Sequence, residues 1–414
     1  MRLALLGCDS EWKTFLRDLP AGHEVVAVCE AAEHELPLCA LLPAVQRSES
    51  WESLLIRDDI DLILVASPQQ LPARADGFDP QANRVDQLKK LAQAGRSLLL
   101  SFPATELLDA YEIEMLRREG NGCLVPWFPG LNHPAWQELP RLPSTANASV
   151  APLQITWERR VDHRSRNQIL AALARDLILI ERTVGKLKRV TALGGPADSH
   201  SADRHSPQDW HSFTVQLEAE DRSLVRWSPA RPSATFACRA VVEEGANPWE
   251  LQAPVNTSEP WLLRERDSNE DSTAGSGWSD IEATLANFAR IHASPTATAN
   301  AWVDACRILE IRAAVEKSVQ RSRTIELSQA EQTEEYQFKG VMASTGCLML
   351  MLVLFAVFVV ALVEGFQLPL RNSAVWRLWP IGLVISLAIF LGLQFLQAVI
   401  QKPRNSQTGR DFAG

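Results

Sequence analysis

No CxxC pair occurs among the 414 residues, and the seven cysteines are scattered. That argues against a disulfide framework and against a thiolate zinc site, and suits a reducing compartment. A basic surplus is missing too. Lys and Arg number 41 against 50 Asp and Glu, a formal net charge of −9. Phosphate binding needs a basic face, so no nucleic acid is expected as a partner. No internal repeat or low-complexity tract is visible. The opening Met-Arg-Leu-Ala-Leu-Leu-Gly carries an apolar run far too short for the core of a signal peptide, and charged residues follow it.

Charge is absent from two long stretches near the end, Val341–Val363 and Pro380–Ile400. At 23 and 21 residues and about 1.5 Å per residue, each is long enough to cross a hydrocarbon core of roughly 30 Å as a helix. Neither has the polar stripe of a core helix beyond scattered Ser, Thr and Gln. Glu364, Arg371 and Arg377 lie between them, with Trp376 and Trp379 where indole rings favour headgroups. The pattern predicts a transmembrane hairpin. Arg321, Arg323 and Lys339 precede it and Lys402, Arg404 and Arg410 follow it. The positive-inside tendency then places both termini in the cytoplasm, at the inner membrane, with only the connector outside.

What precedes the hairpin is an ordinary folded composition, 46% hydrophobic and 22% charged overall, and its length suits two domains. Over residues 1–125, short continuous apolar runs at Arg2–Gly7, Glu24–Glu30, Asp61–Ser67 and Ser97–Phe102 read as buried parallel strands. Helical stretches at Glu11–Leu19, Ser50–Arg57, Val85–Ala94 and Ala104–Arg118 separate or follow them. The alternation specifies a doubly wound, Rossmann-like α/β domain with its crevice at the carboxyl ends of the strands. Residues 126–328 read as an α+β domain on an open, mostly antiparallel sheet. Its strands are Leu153–Trp157, Arg189–Leu193, Phe213–Leu217, Ser223–Trp227 and Thr235–Val242, with helices Gln168–Val184, Ile281–Ile291 and Ala299–Ser318. Ser199–Ser206 and Asp267–Gly277 read as surface loops. The polar 329–340 region links to the membrane segments 341–363 and 380–400 and the tail 401–414.

Several segments together resemble the glucose–fructose oxidoreductase / inositol dehydrogenase family (Gfo/Idh/MocA). They are the opening strand to Gly7, the run Asp58–Pro68, the run Ala94–Pro103, and Trp302–Leu327 with Asp304, Glu310, Ala313, Ala314, Ser318, Arg323 and Ile325. No single motif is specific, but their order and spacing hold over roughly residues 1–328. The resemblance implies a nucleotide-binding domain followed by a substrate domain, NAD or NADP as cofactor, and hydride transfer to or from a sugar or cyclitol. The cofactor positions it implies are Gly7, Cys8, Asp9, Glu30, Ser67, Pro68 and Pro103. A homo-oligomer through the second-domain sheet is a further expectation.

The functional positions then depart from that pattern. The glycine-rich turn falls on Gly7-Cys8-Asp9-Ser10-Glu11-Trp12, where only the first glycine remains. A carboxylate beside a diphosphate is repulsive by about 1 kcal/mol in water and about 4 kcal/mol at an effective dielectric near 20. Asp9 or Ser10 reads more readily as a helix cap. Glu30 matches the acidic residue that holds a ribose, and equally a surface charge. The family's Glu-Lys-Pro corresponds to Ser101-Phe102-Pro103, and its Asp-x-Gly-x-His-x-x-Asp segment to Ala171–Ile178. Arg175 then replaces the histidine and Ile178 the aspartate. Phenylalanine and isoleucine transfer no proton, so the family's acid/base relay is lost. An insertion of about a dozen residues follows Pro68, a loop-length comparison.

Two places could house a substitute site. The loop Glu158–Arg166 carries four arginines with Asp162 and His163, able to hold an anion and supply a base, although such charge runs are usually solvated. His200, His205 and His211 with Asp198, Asp203 and Asp209 lack a helical i, i+4 pair, and no metal site is expected there. The 13 tryptophans are spread along the chain and read as core and interface packing. Two functions stand: a pseudoenzyme serving as a ligand-binding or scaffolding module at the membrane, or an active NAD(P)-dependent oxidoreductase on a sugar-like substrate with a rebuilt site. The catalytic candidates are Asp162, His163 and Arg175.

Overall fold

A strand buried on both faces must be apolar at successive positions, and the first strand shows how the chain uses this. Leu3 and Leu5 point into one layer and Ala4 and Leu6 into the other, all essentially inaccessible. A computed structural model describes residues 1–30, 46–48, 50–68, 80–139, 153–195, 210, 212–243, 248–256, 259–265, 272–274, 278–327 and 358. The chain divides after Ser328, and both sheets lie within Met1–Ser328.

The first sheet contains β1 (Arg2–Leu6), β2 (Glu24–Cys29), β3 (Gln46–Ser48), β4 (Leu62–Val65), β5 (Leu98–Ser101) and β6 (Leu124–Trp127). Their order is β3-β2-β1-β4-β5-β6, all parallel. Helices α1 (Ser10–Arg17) and α7 (Asp280–His292) cover one face through Trp12, Phe15, Leu16, Ile281, Leu285 and Phe288. The other face packs on α3 (Pro80–Gln93), α4 (Leu107–Gly120) and α8 (Pro295–Arg321). The short α2 (Ser53–Ile56) precedes β4. Sequence reading missed β6 and drew its domain boundary through it. Pro126 obscures the strand signal; it is tolerated because β6 is the sheet edge.

The second sheet has nine strands in the order β14-β13-β12-β11-β7-β10-β9-β8-β15. These are β7 (Gln154–Arg160), β8 (Leu187–Gly195), β9 (Ser212–Ala219), β10 (Leu224–Ala230), β11 (Phe236–Glu243), β12 (Trp249–Pro254), β13 (Trp261–Glu265), β14 (Ser272–Ala274) and β15 (Ile325–Glu326). Among the described residues only the central β7–β10 pair is parallel, so the sheet is mixed and mostly antiparallel. The expected strands are present. β12 and β13 were not anticipated, β14 lies in the segment read as a loop, and β15 is the closing strand that the family resemblance of Trp302–Leu327 implies at Ile325. Each is short and gains its pairing from its neighbours in the sheet.

Helix α6 (Arg166–Val184) packs its apolar face, with Ile169, Leu170, Leu173 and Leu177, into the core that also holds Trp157, Val225 and Trp227 of that sheet. Ser165 caps it, its hydroxyl accepting from Gln168 N at 3.4 Å. The short α5 (Ala135–Glu138) follows β6. α8 begins four residues earlier than expected because Ser294 caps it and Pro295 occupies the first turn. Its Trp302 is fully buried and donates to Ala110 O at 3.0 Å, tying α8 to α4. Among the described residues no helix is long and apolar enough to cross a membrane. The spans expected at 341–363 and 380–400 fall, Phe358 apart, outside the described residues, as do 329–340 and 401–414.

Candidate functional site

The turn after β1 is where a dinucleotide diphosphate would meet the start of α1. Gly7 adopts φ +73, a region glycine enters freely, and its N–H donates to Cys29 O at 2.9 Å. Asp9 is the N-cap of α1: Trp12 N donates to Asp9 Oδ1 at 2.8 Å, and Ser67 N to Oδ2 at 3.4 Å. The carboxylate thus takes a helix-terminal donor that an anion would use. Asp9 is only 3% exposed, and burial, reinforced by the charge of Glu11, pushes its pKa from the ordinary 3.8 up to about 6. Trp12, at the third glycine position, is completely buried and stacks on Trp127 with ring centroids 4.3 Å apart. Cys8 is buried, its Sγ 3.8 Å from Asp9 O.

Glu30, after β2, sits at φ +56, the left-handed region that non-glycine residues seldom occupy. Its carboxylate is not open to a ribose. The Gln87 amide donates to Oε1, and Arg84 Nη2 lies 3.3 Å from Oε2. Arg84 Nη1 in turn donates to Gln87 Oε1 at 2.8 Å. Arg84 and Gln87 are fully buried on α3, and burial lowers the guanidinium pKa while Glu30 and Asp9 oppose that. Sequence reading singled out neither residue: Arg84 fell just before the helix it started at Val85, and Gln87 lay inside that helix without a role. The signal available was polar residues on the buried face of an amphipathic stretch. The ends of β4 and β5 are joined by Ser67 Oγ, which donates to Pro103 O at 3.1 Å, beside the buried Pro68 and the cis Phe102–Pro103 peptide.

Arg175 reaches this crevice from α6. Its Nη1 and Nη2 donate to Glu11 Oε1 and Oε2 at 2.5 and 3.0 Å, and its Nε to Phe102 O at 2.7 Å. Ser101 Oγ donates to Glu11 Oε2 at 2.9 Å. The guanidinium also lies 5.9 Å from the centre of the Phe128 ring. Glu11 was not singled out from sequence, and nothing in local spacing pairs it with a residue 164 positions away. Phe102 itself is fully buried, and Ile178 half-buried against the core.

The neighbouring Asp176 turns the other way. It is wholly inaccessible and takes Arg159 Nε at 3.0 and 3.1 Å, Arg159 Nη2, and Trp227 Nε1 at 2.7 Å. That pair fixes α6 to the sheet and thereby aims Arg175. The four arginines around Asp162 and His163 do not converge. Arg159 serves Asp176, Arg160 pairs with Asp162 at 3.0 Å, Arg164 donates to Pro229 O and Ala230 O at 3.4 Å, and Arg166 pairs with Glu316 at 2.8 Å. Asp162 and His163 are exposed, and among the described residues neither touches a crevice side chain.

A second carboxyl, half-buried, stands at the start of α7 within reach of the Glu11 charge. Gly130 N donates to Asp280 Oδ2 at 3.2 Å, and burial raises this carboxyl to about 6, with Glu11 adding to the effect. Nearby, Trp127 Nε1 donates to Thr284 Oγ1 at 3.0 Å. His133 lies flat on Trp261 at 3.9 Å, and burial lowers its pKa to about 4, so it is neutral at physiological pH. Among the described residues no group of three His, Cys, Asp or Glu could hold a metal. His200, His205, His211, Asp198, Asp203 and Asp209 lie outside them.

The chain matches no protein-family model and no curated protein sequence. Solved structures do resemble it. An aldose-aldose oxidoreductase from Caulobacter crescentus, complexed with glycerol, superposes with a TM-score of 0.61 at 12% identity, covering 79% of this chain and 99% of that one. A 3-ketoreductase from Actinomadura kijaniata, in complex with TDP-benzene and NADP, gives 0.58 at 16% identity over 77% and 98%. A dehydrogenase from Chromobacterium violaceum, in complex with NADH and UDP-GlcNAcA, gives 0.55 at 12% over 80% and 96%. The shared part covers about the length of Met1–Ser328. These likenesses show the fold alone: the chain shares with these oxidoreductase structures a parallel Rossmann-like sheet followed by a second, mixed sheet.

Proposed function

We propose that this chain is a membrane-anchored pseudoenzyme: an oxidoreductase fold retained as a ligand-binding or scaffolding module and no longer a dehydrogenase. One observation carries the reading. The chain's own side chains engage the glycine-turn amide and the acidic residue that would hold the diphosphate and ribose of a dinucleotide. Asp9 takes the helix-terminal amide, Trp12 fills the space beside it, and Arg84 and Gln87 take Glu30. NAD or NADP is the cofactor the fold suggests by resemblance, but these residues do not fit its diphosphate and ribose. The reacting end fits no better, because Phe102 is sealed in the core and Arg175 is a permanent cation bound to Glu11. The hairpin at 341–363 and 380–400 supplies the anchor, with Met1–Ser328 on the cytoplasmic face of the inner membrane. Pairing of two copies through the second sheet belongs to the same reading.

The test is equilibrium binding of NAD, NADH, NADP and NADPH to the full-length protein in detergent, followed by calorimetry. Dissociation constants of about 1 mM or weaker are expected, a binding free energy no more favourable than about −4 kcal/mol. Micromolar affinity would overturn the reading.

A further inference from the structure

The Glu11 carboxylate is held as a bound acid would be. Arg175 grips both oxygens in the paired geometry guanidinium favours, Ser101 donates a third hydrogen bond, and the group is 14% exposed. The receptor half is assembled from separate elements: Arg175 from α6, Ser101 from the end of β5, and the Phe128 ring beneath the guanidinium. It is also anchored independently of Glu11, because Arg175 Nε is fixed on Phe102 O and α6 is pinned by the Arg159–Asp176 pair. Among the described residues Glu11 brings the only carboxylate in ion-pair contact with Arg175; Asp9 feels the charges of both Glu11 and Arg175, and Asp280 that of Glu11.

We infer that Arg175, Ser101 and Phe128 form a small-carboxylate site, and that Glu11 is a built-in ligand that closes it. The contact is autoinhibitory. A tethered carboxylate acts at an effective concentration of at least millimolar order, so a free acid enters only when Glu11 is withdrawn. This rests on the reading that the crevice is filled by the chain's own side chains.

Chemical rescue tests it. Glu11→Ala removes Cγ, Cδ and both oxygens, and acetate supplies two carbons and two oxygens in the same arrangement. In the full-length protein, Glu11→Ala should lower the midpoint of thermal unfolding, followed by tryptophan fluorescence, by about 3–8 °C. Acetate at about 100 mM should restore half or more of that loss, as a ligand at about ten times its dissociation constant would. Acetamide, and chloride at equal ionic strength, should not. Acetate should leave the unaltered protein unchanged, and its effect should vanish in Glu11→Ala/Arg175→Ala. Equal responses to acetate and chloride, or rescue that survives loss of Arg175, would overturn the inference. Should Glu11→Ala fail to fold, Glu11→Gln, Arg175→Gln and their double variant decide it. A double variant less destabilised than the summed single effects supports the contact, and additivity overturns it. Failed rescue with no nucleotide binding would sink this inference alone, whereas micromolar NAD(P) affinity would sink the pseudoenzyme reading.

Discussion

Asp9 makes the protein's stability depend on pH in the direction opposite to a salt-bridged aspartate. Its carboxyl titrates at about 6 in the folded chain and at 3.8 ordinarily, chiefly because it is buried. Between those values the folded state holds a proton that the unfolded state has released. Stability therefore falls as pH rises through that window. At about 1.4 kcal/mol per pH unit, the displacement amounts to about 3 kcal/mol lost between pH 4 and pH 7. Asp280, also raised to about 6, adds in the same direction. Asp9→Asn isolates the Asp9 part. Asparagine caps a helix about as well as aspartate and keeps an acceptor for Trp12 N, while it forfeits only the long 3.4 Å contact from Ser67 N. The variant should gain about 1–3 kcal/mol over the unaltered protein at pH 8 and close to nothing at about pH 3, below the ordinary 3.8 at which the unfolded carboxyl titrates. Urea unfolding of the full-length chain, followed by tryptophan fluorescence at a series of pH values, measures both. A difference between the two proteins that does not change with pH would refute the reasoning.

Other expectations rest on single contacts. Asp176→Ala leaves the Arg159 guanidinium and Trp227 Nε1 without their shared acceptor, so urea unfolding should show a loss of about 3–5 kcal/mol; a loss below about 1 kcal/mol would contradict the anchoring role. Gly120→Ala would drive a methyl into Ala92 O and place it 2.5 Å from Gln93 O, where α4 meets α3. A drop of about 1–3 kcal/mol is expected in the same assay, and a neutral variant would mean the two helices are free to separate there. For topology, protease added to inside-out vesicles should digest Met1–Ser328, while protease outside intact spheroplasts should leave it whole; cutting from outside would reverse the orientation.

Much of the architecture was legible in the chain because it rests on local chemistry. Runs such as Leu3–Leu6 and Leu98–Leu100 are apolar at consecutive positions, and only a strand covered on both faces tolerates that. Asp9 could be read as a cap because the requirement is local to one turn, whereas the cap at Ser165 was not read and α6 starts two residues before the expected Gln168. What tertiary structure alone decided is which charges meet. Arg175 and Asp176 are adjacent, yet about 100° apart around α6, so one enters the crevice and the other the sheet core. Glu30 carries the same side chain whether it faces a ribose or Arg84, and only the packing of α3 against the end of β2 selects Arg84. Short strands such as β6, β13 and β14 behave alike: three to five residues hold too little propensity of their own, and their neighbours in the sheet supply the rest.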